Sequence, residues 1–264
     1  METTVSDICV FMNEYASLTY AEKWDNPGLL LGHVEAPVHK IMVALDLMPE
    51  VAEQAIEEEV DLIITHHPFY FHLPSSLAVT DTKMEVMYEL IKHDIAVYAA
   101  HTNLDAARGG VNDVLADRLG LNDVTEIPRK DCPEQGLARI GVLDEPMELK
   151  DFAAYVRDQL GASHVTFAGG EEPVYKVAVV GGGGADFMDD AMAAGADTLV
   201  TGDVKYHVAQ KALNMGLNLV DGTHQLTELP VVEHLEDVLN AWCKESGRHF
   251  EVIRAHEDLV LQSI

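Results

Sequence analysis

The stretch Asp61-Leu62-Ile63-Ile64-Thr65-His66-His67-Pro68 decides how the chain is read. An apolar run bounded by Asp and Pro predicts a short buried strand that stops where the two histidines begin. In an open α/β sheet, ligands bind at the carboxyl ends of such strands. A buried imidazole needs partners for its ring nitrogens, and an adjacent pair needs twice as many. Metal ligation satisfies that demand, so His66 and His67 are read as ligands and the remaining donors are sought at other strand ends.

Working outward, apolar runs alternate with amphipathic, acidic helical stretches. Strands are expected over Ile41–Leu45 and Ile95–Ala100 and helices over Pro49–Glu59 and Lys83–His93, Pro49 being suited to a first turn. The strand ending at Ala100 runs straight into His101-Thr102-Asn103-Leu104-Asp105, and Gly109-Gly110 opens a helix that ends at Gly120. Upstream, helical spacing from Val5 to about Trp24 is broken by Asn26-Pro27-Gly28, strong turn chemistry. Trp24 in that turn either lines a pocket or plugs the edge of the core.

The middle of the chain, from about 122 to 146, is richer in Pro, Gly and charge, and a domain crossing is expected there. A helix over Leu149–Leu160 follows. A second alternation then runs through strands at Lys176–Val180, Asp197–Thr201 and Leu217–Val220, a long helix at Pro230–Glu245 and a closing strand at Phe250–Ile253. Strand–helix alternation of this kind predicts a parallel α/β sheet.

The two alternations match. Lys40-Ile-Met-Val-Ala, an acidic helix, then Val60-Asp-Leu-Ile-Ile-Thr65 parallels Lys176-Val-Ala-Val-Val, an acidic helix, then Ala196-Asp-Thr-Leu-Val-Thr201. Polar residues follow each threonine, and each half later carries a His-x-x-x-acid signature, His101/Asp105 and His224/Glu228. The expected architecture is α/β, with two similar units of mostly parallel strands facing each other across a dinuclear metal site. Residues 1–125 are assigned to the first unit, with the segment 222–264 returning to complete it, and residues 126–221 to the second.

Imidazole and carboxylate donors together suit Zn, Mn, Fe, Ni or Co rather than Ca or Mg alone. His66, His67, Asp105, His224 and Glu228 are too many for one catalytic zinc, which takes three protein ligands plus water. They suit two divalent ions with a bridging carboxylate. His101 and Asp203 then orient ligands or face substrate, or simply cap their strand ends. The run Gly181–Gly184 follows a strand, so its amides either hold phosphate or simply make a tight turn.

Bulk properties narrow the class. A net charge of −28 argues against binding nucleic acid or an anionic membrane surface. An apolar fraction of 48% with no run approaching a membrane span, and no signal-like N-terminus, fits a globular cytoplasmic protein. Cys9, Cys132 and Cys243 are far apart and lack metal-site or redox spacing.

Together, Trp24-Asp25-Asn26, Thr65-His66-His67-Pro68, His101-Thr-Asn-Leu-Asp105, Thr201-Gly202-Asp203 with Lys205-Tyr206-His207, and His224-x-x-x-Glu228 resemble the family of GTP cyclohydrolase 1 type 2 homologues, the Nif-three-like dinuclear-metal proteins. The resemblance runs nearly end to end. It implies His66, His67, Asp105, His224 and Glu228 as ligands, with Glu228 as the bridge, and a toroidal homohexamer. It also implies a metal-dependent hydrolase of a nucleotide or other phosphorylated compound: a GTP cyclohydrolase, as the name suggests, or a phosphatase. His101 or His207 would then move protons, Lys205 would meet phosphate, and Trp24 would touch substrate. A metal-binding, metal-delivery or scaffold protein without turnover is the alternative. One departure stands out, since the family usually has Gly directly before the last histidine and this chain has Thr223 after Gly222.

Overall fold

The computed structural model describes residues 2–72, 74–128 and 136–262. Cys132 lies outside the described residues; Cys9 and Cys243 are free thiols, both partly buried. The chain divides into two compact units, Met1–Ala107 with Val232–Asp258, and Arg108–Val231 with Leu259–Ile264.

In chain order, the first unit contains α1 (Val5–Tyr15), β1 (Gly28–Leu31), β2 (Lys40–Ala44), α2 (Pro49–Glu57), β3 (Leu62–Thr65), α3 (Thr82–Lys92), β4 (Ala96–Ala99) and the one-turn helix α4 (Thr102–Ala106). The second contains α5 (Val111–Arg118), β5 (Asn122–Ile127), β6 (Ala138–Met147), α6 (Leu149–Gln159), β7 (Thr166–Ala168), β8 (Val174–Val179), α7 (Met188–Ala193), β9 (Thr198–Thr201), α8 (Tyr206–Met215), β10 (Asn218–Asp221) and the one-turn helix α9 (His224–Glu228). The chain then returns to the first unit through α10 (Pro230–Ser246) and β11 (Glu251–Arg254).

The first sheet has the order β1-β4-β3-β2-β11, parallel except for the antiparallel edge strand β1. Its three central strands, β2, β3 and β4, are buried almost throughout, as expected when both faces are covered. Met42, Ala44, Ile63 and Val97 pack with Val51, Ala55, Val86 and Leu90 of α2 and α3. Ile41, Val43, Leu62 and Ile64 alternate with them and are fully buried on the opposite face. Helices α1 and α10 pack together through stacked Phe11 and Trp242, 4.3 Å apart, and a 3.0 Å hydrogen bond between Tyr15 and His234.

The second sheet, β5-β6-β8-β9-β10-β7, keeps a parallel centre, β8-β9-β10, flanked by antiparallel strands. Val177, Val179, Val200 and Val220 point to α5 and α6, while Ala178, Leu199 and Leu219 point to α7 and α8. The polar stretch expected to be a crossing supplies the antiparallel pair β5 and β6. Division falls after residue 107 because Leu115, Ala116 and Leu119 join the core of Phe152 and Val156; an edge at 125 would cut that cluster. Among the described residues no helix is long and apolar enough to cross a membrane.

Candidate functional site

The histidine pair sits where the sequence placed it, one step beyond β3. The parallel ladder with β2 continues into it, His66 and His67 donating their amides to Ala44 and Leu45 at 3.2 and 3.0 Å. That ladder fixes both backbones, so the side chains leave the strand end in a set direction. His66 is fully buried, and its Nδ1 lies 2.8 Å from the carbonyl of Ala100, at the end of β4. A carbonyl only accepts, so Nδ1 carries the proton and Nε2 the lone pair. His67 is oriented in the same way by Asp46, just past β2, with Nδ1 2.9 Å from Oδ1.

His101 repeats the arrangement, its Nδ1 lying 2.8 Å from Oδ1 of Asp25. Ligand atoms of His66, His67 and His101 all lie within 4.8 Å of one another. Asp105 adds a carboxylate one turn further along α4, its Oδ1 3.6 Å from His66 Nε2. The motif His101–Asp105 divides its work residue by residue. Thr102 donates its amide (3.0 Å) and hydroxyl (2.5 Å) to Asp25, while Asn103 accepts from the His101 amide and donates to the Ala16 carbonyl. Leu104 is in the core. The Asp25 side chain is fully covered. Burial pushes its pKa up, but the bonds and charge of His101, the Thr102 hydroxyl and the Asn26 amide outweigh burial and hold it at about 2.

In the second unit, His224 is the first residue of α9. Its Nδ1 lies 2.7 Å from Asp203 Oδ2 and its Nε2 3.2 Å from Glu228 Oε2, one helical turn on. Glu228 is buried, whereas the His224 side chain is 38% exposed. Asp221, at the end of β10, accepts the amides of Val204 and Thr223, so one carboxylate sets the loops that carry Asp203 and His224.

The glycine run is a turn, and its amides are used within the chain. Gly181, Gly182 and Gly184 donate to Asn112, Thr227 and Thr201 at 2.7, 2.9 and 2.8 Å. Its glycines are needed for space. A Cβ on Gly182, at φ +61°, would collide with Glu228 Oε1, and one on Gly202 would come within 2.5 Å of the His224 amide. The run makes room for the donor pair. Asp203 and Thr223, which flank that space, both have positive φ, 55° and 68°.

Each expected donor therefore joins a donor cluster within its own unit: His66, His67 and Asp105 in the first, His224 and Glu228 in the second. His101, expected to move protons, has its Nε2 side turned to His66 and His67 like a further donor. His207 is exposed on α8, and Lys205 lines a cleft of about 230 Å³ with Tyr206, Phe167 and Asp221. Sequence reasoning missed Asp25 and Asp46 as orienting acceptors, although each stands at a predicted turn or strand end. It also missed Glu257, whose carboxylate accepts the amides of Leu45 and Asp46 at 2.7 and 2.9 Å. Burial raises the Glu257 pKa against the pull of those amides. No sequence signal marks Glu257, because its role depends on where the C-terminal return lies.

The donor set fits divalent transition metals: oriented imidazole Nε2 atoms beside carboxylates, with space kept open by glycine. Residues 3–258 match the model of the family described as Duf34/NIF3 (NGG1p interacting factor 3). The chain belongs to this family. Relatives within it include a GTP cyclohydrolase 1 type 2 homolog of Clostridium acetobutylicum, 34% identical with 98% of each chain covered, and another of Clostridium perfringens, 37% identical over 86% of this chain and 88% of that one. Among solved structures, a hypothetical protein of Staphylococcus aureus superposes with a TM-score of 0.94 at 29% identity, covering all of both chains. Reduced HcgD from Methanocaldococcus jannaschii superposes with a TM-score of 0.80 at 26% identity, covering 96% of this chain and 98% of that one.

Proposed function

We propose that the protein binds two divalent metal ions through His66, His67, Asp105, His224 and Glu228, and that it is a metal-dependent hydrolase of a nucleotide or other phosphorylated compound. One observation carries this reading. Three histidines across the two units, His66, His67 and His224, each present Nδ1 to an oxygen acceptor, which leaves Nε2 as the ligand atom. When bound, a metal pair supplies Lewis acidity and a lowered pKa for water.

The chain's own residues do the rest. Asp25, Asp46 and Asp203 hold their imidazoles in one tautomer and one direction. His101, backed by Asp25, is placed to hold a proton, and the exposed His207 is a second candidate for that role. Lys205 offers a positive charge to a phosphate on an otherwise acidic molecule. The relatives' name supports GTP among the first substrates to try.

Non-catalytic metal binding or delivery is the second reading, favoured by the exposure of His224, which would let an ion exchange. Elemental analysis, paired with turnover of GTP and other nucleotides after loading with Zn, Mn, Fe, Ni or Co, separates the two. About two metals with formate or phosphate release supports the hydrolase; about two metals without turnover supports the carrier. Less than one metal per chain after loading overturns both.

A further inference from the structure

The turn that orients His101 also displays an aromatic platform. Trp24 is 56% exposed and Phe71 46%, with ring centroids 5.9 Å apart. Both sit against His101, at 5.8 and 5.7 Å. Scattered exposed aromatics need no explanation. These two are held in place by polar contacts. Asp25, next to Trp24, is clamped by His101 and Thr102, and Asn26 donates to the Tyr70 carbonyl at 2.7 Å, next to Phe71. Of the consecutive Phe69, Tyr70 and Phe71, the first two are tied to α3. Lys83 lies over both rings, and the Tyr70 hydroxyl meets the Met84 sulfur. Phe71 alone is turned outward, toward Trp24.

From this geometry we infer that Trp24 and Phe71 form a stacking platform that selects ligands carrying a planar aromatic ring, a nucleobase or similar heterocycle, and sets that ring beside His101. The inference rests on the proposed reaction taking place at the histidine end. It names the part of the substrate that the donor residues do not read. Ring stacking tolerates sequence and substituents because every base has a π face, so the platform selects for a ring rather than for one particular base.

Trp24 reports on itself. The chain has two tryptophans, and Trp242 stacks on Phe11 within the α1–α10 packing. In W242F the emission therefore comes from Trp24 alone. Guanosine and adenosine are expected to quench it in both zinc-loaded and metal-free protein, and ribose 5-phosphate is not. In the parent background, W24A should weaken guanosine binding in equilibrium dialysis roughly 5- to 100-fold, the loss of one base–aromatic stack, with metal content unchanged. If W242F does not fold, the difference in emission between the parent and W24F gives the same reading.

Unchanged emission with either nucleoside, equal response to ribose 5-phosphate, or parental affinity in W24A would overturn the platform. Those results leave the metal reading standing if the protein still loads. Quenching by nucleosides in a chain that never takes up metal would support the platform and overturn the proposed function instead.

Discussion

The β2–α2–β3 segment of the first unit and the β8–α7–β9 segment of the second repeat each other down to single hydrogen bonds. Asp61 accepts the amides of His39 and Lys40; Asp197 accepts those of Tyr175 and Lys176. Val60 donates to Ala55 and Ala196 to Ala191, each at 2.9 Å, after a left-handed residue, Glu59 or Gly195. Beyond Thr65 and Thr201 the likeness ends. The first unit continues its ladder into two histidines, one of them fully buried. The second turns through Gly202 and the left-handed Asp203, and its histidine comes from α9, more than a third exposed. The shared part is scaffold and the divergent part carries the proposed ligands, since a strand end tolerates replacement once the ladder below it is made.

Substitutions in both units test this division of scaffold from proposed ligands. The largest effect is expected from Glu228→Ala, which removes a buried donor that faces His224. It should cost roughly half or more of the bound metal, read by elemental analysis; parental metal content would remove Glu228 from the proposed ligand set. Next come Asp61→Ala and Asp197→Ala, each losing two amide bonds to a carboxylate. Both should destabilise by about 2–3 kcal/mol in urea unfolding, and a large disparity would mean the repeat is geometric only.

The covered acceptor of the first unit adds a pH term. Asp25 has a folded pKa of about 2, below its ordinary 3.8. A depressed carboxyl contributes stability above its unfolded pKa and loses it as pH falls through the folded one. Stability of about 2 kcal/mol should therefore vanish between about pH 4 and pH 2, and Asp25→Asn should lack that part of the acid limb.

The smallest effects sit at the left-handed residues. Thr223, at φ +68° and ψ 151°, occupies a region that suits glycine. Its hydroxyl caps the Leu226 amide at 3.4 Å, a long bond. Thr223→Gly should then stabilise by about 1 kcal/mol net of the lost cap, seen as a raised urea midpoint. Glu59→Gly, which copies Gly195, should gain less than about 1 kcal/mol. Loss of stability in either variant would show that the side chain contributes more than its backbone costs.

The strand ends, the repeat and the donor types were legible in the order of residues. Buried parallel strands leave an apolar run that stops abruptly, and histidine or carboxylate at such a stop is legible without coordinates. The anomaly at Thr223 was legible too, because a β-branched residue stood where glycine is usual. Other features had no periodic trace. β1 was hidden behind turn residues, β5 by the polarity of an exposed antiparallel strand, and β6 by the polar second half that follows its buried start. The unit boundary at 107 depends on which core Leu115 and Leu119 join. Asp203, beside His224, was legible as an orienting group, but the oxygens that orient His66, His67 and His101 are set by tertiary contacts alone. Asp25, Asp46 and Glu257 act through bonds to residues 76, 21 and 211 or more positions away, and a carboxylate brought in by folding carries no mark of its partner in the local sequence.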